Sequence, residues 1–130
     1  MIKPVLDKKT LQTAESDALL KHTHHESVHI ADGDLSEEEF DDLSLEKVCL
    51  EGLIFNQVVV DDLTVLDSSL NKCSFAGATI EHSHFTRTEF TSTRLQGIQL
   101  TELSATDTSF ISSKLNDSNF RYAKLKNVLF

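Results

Sequence analysis

Tryptophan is absent from this chain of 130 residues; proline occurs once, cysteine twice and glycine four times. Two cysteines exclude a small domain stapled by several disulfides. No apolar run approaches the ~20 residues of a membrane span, and the N-terminus lacks the apolar core of a signal peptide. The expectation is a soluble, cytoplasmic protein. Basic residues are also scarce, 12 Lys and Arg against 21 Asp and Glu, for a net charge of −9. Such a chain is a poor candidate for gripping a nucleic-acid backbone or an anionic membrane directly. The length suits one domain. So few turn breakers ordinarily suggest helices, but the residues that are present point elsewhere.

All eight Phe residues sit at multiples of five: Phe40, Phe55, Phe75, Phe85, Phe90, Phe110, Phe120 and Phe130. Random phases would produce this about once in 80,000 sequences, so the chain is a repeat. From Ile30 to Phe130 there are 21 such positions, and only Ala105 is small. Two residues before each centre stand small or apolar groups such as Val48, Ser68, Cys73, Ala78, Thr88 and Ser118. Two residues after it stand turn formers such as Asp32, Asp42, Gly52, Asp62, Asp67, Gly77, Gly97 and Asn127. These tolerate positive φ or bond back to the local backbone.

A period of five fits neither a helix nor a plain strand. A three-residue strand followed by a two-residue corner does fit it. Four such units close a square coil of 20 residues, and coils stack at ~4.8 Å. The inward columns are then Ile30, Leu50, Leu70, Phe90, Phe110, Phe130; Leu35, Phe55, Phe75, Leu95, Leu115; Phe40, Val60, Ile80, Leu100, Phe120; and Leu45, Val65, Phe85, Ala105, Leu125. Ala105 is the expected weak point of its column. Leu43, Leu53, Leu63, Ile98 and Leu103 are bulky for the small position and predict wider coils there.

The chain resembles the pentapeptide-repeat family, with its A-(D/N)-L-x-x motif. Ala78-Thr79-Ile80, Cys73-Ser74-Phe75, Ser118-Asn119-Phe120 and Ala123-Lys124-Leu125 carry the likeness. It covers residues 28–130 and is loose at the D/N position, where Cys49, Val59, His84 and Arg94 stand. The resemblance implies an all-β fold, a right-handed quadrilateral β-helix of about five 20-residue coils.

Residues 1–27 fall outside the pattern and read as a cap or leader that is partly helical. Leu11, Ala14, Ala18 and Leu19 suit a short amphipathic helix from Lys9 to Lys21, capped by Thr10 or Thr13. Gly33 and Glu38 occupy inward positions in the first coil, which makes Glu38 a buried charge there. Ser36 to Glu39 also has the form of a capping box, so a helical turn is an alternative at that point. At the other end the pattern stays in phase to Phe130. Either the natural chain continues, or a symmetry mate covers the last coil. The resemblance implies a homodimer joined through this end, with Phe110, Tyr122, Leu129 and Phe130 at an isologous interface.

Charge is uneven. Between Asp32 and Asp67 lie 12 acids, opposed only by Lys47. Stacking the coils sorts Asp41, Asp42, Asp61, Asp62, Glu81 and Glu102 onto one edge as a partner-binding strip for a basic protein surface. The alternative is a solvated face that keeps a structural scaffold soluble and blocks edge pairing. The resemblance adds that some family members are DNA mimics that bind type II topoisomerases, here DNA gyrase or topoisomerase IV. Five coils span ~24 Å, over which a duplex carries about 14 charges, so a dimer or a longer chain suits that role better.

No metal site, cofactor or catalytic residue is assigned. His22, His24, His25 and His29 cluster in sequence, but no cysteine stands near them in the chain. There is no phosphate loop, nucleophile elbow or metal motif, and a filled solenoid offers no deep cleft. Cys49 is expected to point outward and Cys73 inward, which disfavours a disulfide between them.

Overall fold

The computed structural model describes residues 1–130 as a parallel β-solenoid of about six turns. Four faces repeat up the stack. Ile30 pairs with Leu50, Leu50 with Leu70, Leu70 with Phe90 and Phe90 with Phe110, each 20 residues on. The second face is a line of bridges, Ile54 to Ser74 to Arg94 to Lys114. The third runs through Val60, Ile80 and Leu100, and the fourth through Leu45, Val65, Phe85, Ala105 and Leu125. The 20-residue coil is thus the unit of the fold. No helix of the structure is long and apolar enough to cross a membrane.

The centres at multiples of five from Ile30 to Phe110, 17 in all, are buried. The ring of one Phe stacks on the next at the rung spacing: Phe55 on Phe75 and Phe90 on Phe110, both at 4.8 Å and nearly parallel. The small position is filled differently from coil to coil. Thr88, Thr93, Ser113 and Ser118 turn their hydroxyls onto carbonyls of the coil beneath, those of Val65, Leu70, Phe90 and Leu95. Leu43, Leu53, Leu63, Ile98 and Leu103 are all buried at the same position. Ser83 is the odd member, because its buried hydroxyl oxygen has no partner.

Nineteen residues have positive φ, and every one of them stands two places after a centre. Sixteen are not glycine, among them Lys47, Gln57, Arg87 and Tyr122. The corners are therefore imposed by the stack, against a local preference of roughly 1–2 kcal/mol per residue. Only Asp42 and Asp62 break the series. They lie inside the continuous strands Glu39–Glu46 and Val59–Leu66.

The helix expected from Lys9 to Lys21 is replaced. Asp7 caps a single 3-10 turn at Lys8–Thr10, accepting from the Lys9 N–H at 3.0 Å. Gln12–Ala14 is a strand, and only Ala18–Lys21 makes one helical turn. An isolated helix of that length is marginal, whereas Gln12–Ala14 pairs along the open edge of Val28–Asp34. This lowest coil is shorter, with Gln12 facing Val28, a step of 16 residues. Leu19 drops into the core and is 1% exposed. His25 stands beneath Leu45 and is buried, its Nε2–H donating to the His22 carbonyl at 2.8 Å. Gly33 leaves room for Ser16, whose side chain occupies the place of a Cβ. Glu38 is exposed rather than buried, because its face has no rung beneath it.

The first residues lie along the outside of the stack. The Val5 N–H donates to Asp67 Oδ1 at 3.0 Å, and that of Ile2 to Asp107 Oδ1 at 3.3 Å. Two rungs separate Asp67 from Asp107, ~9.6 Å, which three extended residues span.

Candidate functional site

The corner between the third and fourth faces carries the predicted acidic edge. Asp42 pairs with Asp62 in register, and Glu81 with Thr101. Asp41, Asp42, Asp61, Asp62, Glu81 and Glu102 are all exposed. The coil therefore brings the six carboxylates onto one side in two files. One runs Asp41, Asp61, Glu81, Thr101, Arg121; the other runs Asp42, Asp62, His82, Glu102, Tyr122. Like charges one rung apart repel by about 1 kcal/mol at the dielectric of water, and salt reduces this.

His82 belongs to the edge, which its place among acids in a 20-residue register could have revealed. Its Nε2 lies 2.8 Å from Glu102 Oε2 and its Nδ1 3.7 Å from Asp61 Oδ1. Arg121 closes the file above.

Not every acid of the Asp32–Asp67 stretch is free. Asp67 is buried and accepts from Arg87 Nε at 2.6 Å and Arg87 Nη2 at 3.0 Å. The Arg87 hydrogen bonds hold its carboxyl below the usual range, burial opposes this, and the Val5 N–H adds to it. This pair locks a different corner and anchors the N-terminal residues.

At the C-terminal end Tyr122, Leu129 and Phe130 are exposed, as is Leu125. Phe110 lies one rung below, buried, with the Phe130 ring stacked on it at 5.3 Å. Of the four residues expected at a dimer contact, three reach the surface of this end and Phe110 supports them from beneath. Both cysteines are free thiols. Cys73 points into the core, where burial pushes its pKa up to about 11.

The description pentapeptide repeats, in eight copies, matches residues 68–102 and 94–130. The chain is a pentapeptide-repeat protein. The left-handed corners of that repeat continue in the same phase back to Ser27, below the matched stretch. No curated protein matches the chain. Family membership supports a non-enzymatic repeat protein.

Proposed function

We propose that this pentapeptide-repeat protein is an interaction module whose acidic edge docks a basic protein surface. The observation that carries the reading is the six exposed carboxylates on one corner, with Arg121 as the cation in the same files. The mutual repulsion of this file works against the stack. A partner rich in Lys and Arg would relieve it and be steered to it.

The sharpest form of the proposal is a DNA mimic that binds a type II topoisomerase in the cytoplasm, by analogy with other members of the family. Rod length favours a homodimer for this role. The exposed Tyr122, Leu125, Leu129 and Phe130 supply an apolar end suited to a two-fold contact.

Changing Asp41, Asp42, Asp61 and Asp62 together to Asn tests it. The expected result is loss of a salt-sensitive interaction with gyrase and of supercoiling inhibition, with the circular dichroism spectrum unchanged. A wild-type chain with no salt-sensitive gyrase interaction overturns the topoisomerase form. Binding to a basic surface that survives the four substitutions overturns the edge itself.

A further inference from the structure

On the outer side of the first face three ligating side chains converge. His29 and Cys49 face each other on paired strands, one coil apart. Glu51 stands two residues beyond Cys49, so its side chain leaves the same side of the strand. The ligating atoms of His29, Cys49 and Glu51 all lie within 4.8 Å of one another. Cys49 Sγ is 3.8 Å from Glu51 Oε1, and His29 Nε2 is 3.7 Å from the same oxygen.

Two observations set this cluster apart from a surface group of polar residues. His29 Nε2 is shut off from solvent and has no hydrogen-bond partner. A buried polar nitrogen left so is destabilising. Cys49 points outward from the solenoid and yet is 1% exposed. We propose that His29, Cys49 and Glu51 form a binding site for a single Zn2+ ion, with water completing the tetrahedron.

The chemistry of the set fits that ion. One imidazole, one thiolate and one carboxylate are the ligands a borderline divalent cation takes. Zn–S of ~2.3 Å and Zn–N or Zn–O of ~2.0 Å at tetrahedral angles put ligand atoms about 3.3–3.5 Å apart. The two distances to Glu51 need to shrink by only a few tenths of an ångström. The β-ladder holds His29 and Cys49 in place, so the site is largely formed before the ion arrives. A bound ion supplies the missing partner of His29 Nε2. A metal-bound thiol is a thiolate, so Cys49 releases its proton when the ion binds.

Titration of the reduced full chain with Zn2+, and with Co2+ as a coloured stand-in, decides the matter. The expected result is one ion per chain, with a thiolate-to-cobalt charge-transfer band in the near ultraviolet. Cys49→Ser abolishes the band and weakens Zn2+ binding by at least about a hundredfold. His29→Gln and Glu51→Gln weaken Zn2+ binding by at least about tenfold, and Cys73→Ala leaves band and affinity intact. Circular dichroism of each variant separates a lost ligand from a lost fold. If Cys49→Ser does not fold, His29→Gln, at a half-exposed side chain, carries the test. No saturable binding of a single ion overturns the proposal. A band that survives Cys49→Ser, or Zn2+ affinity untouched by His29→Gln, overturns it as well.

Discussion

At the N-terminal end Leu19 is 1% exposed, whereas at the C-terminal end Phe130 is 57% exposed. The rungs between them are close to interchangeable. A coil in the middle has neighbours on both sides, so its burial is set by the repeat alone. An end coil is buried only if something irregular covers it. Here the shortened 16-residue step supplies the cover at one end. The segment that breaks the repeat is thus the one that completes the core.

The largest effect should come from removing that cover. Leu19→Ala is expected to cost about 2–5 kcal/mol in denaturant unfolding, because it opens a cavity under the first full coil. Phe130→Ala, a larger truncation, should cost less than about 2 kcal/mol because half its surface already meets water. Equal losses at the two ends would erase the contrast.

Next comes the pair that pins the N-terminal residues. Asp67→Asn removes charge-assisted hydrogen bonds from Arg87 and should cost about 1.5–3 kcal/mol. It should also expose the first five residues to protease. The lowest coil and this pair differ in their response to acid as well. Burial lowers the pKa of His25 from its usual 6.5, so the folded state favours neutral imidazole. Below that pH the unfolded chain takes up the proton first, and stability falls. Asp67 has its carboxyl lowered from the usual 3.8, so its contribution is full above that pH and fades as pH falls through the folded value. Unfolding midpoints measured from pH 7 to pH 3 should therefore decline in two stages. His25→Gln should flatten the first stage and Asp67→Asn the second.

The smallest effect is expected inside the regular stack. Ser83 buries a hydroxyl without a partner, unlike Thr88 or Ser118. Ser83→Ala should leave stability unchanged or raise it by up to about 1 kcal/mol in the same assay. A clear loss would mean that this rung is not equivalent to its neighbours.

The regular part of this molecule is legible because one phase sets both the core and the corners. Phe at every fifth place announces the centres, and the left-handed residues follow two places later whatever their type. Residue type alone is a weaker guide to the corners: Asp42 and Asp62, good turn formers, are the two that are not left-handed. The lowest coil was hidden because its inward groups are off phase or polar. Ala14 and Leu19 miss the multiples of five, and His25 keeps the phase but does not look like core. The His29–Cys49 pair was hidden for a different reason. Ligand motifs are sought at short spacings, whereas a solenoid makes neighbours of residues 20 apart. The acidic edge was found by applying that offset, and His29 to Cys49 is the same step.

The hydrogen bond from Ile2 to Asp107 also orders events in time. Every rung contact joins residues about 20 apart, so a coil can close as soon as its neighbour has been made. Ile2 leaves the ribosome more than a hundred residues before the side chain that receives it. Its seat does not exist until the fifth coil is in place. This segment, made long before Asp107, is therefore among the last to dock, and the solenoid must assemble without its help.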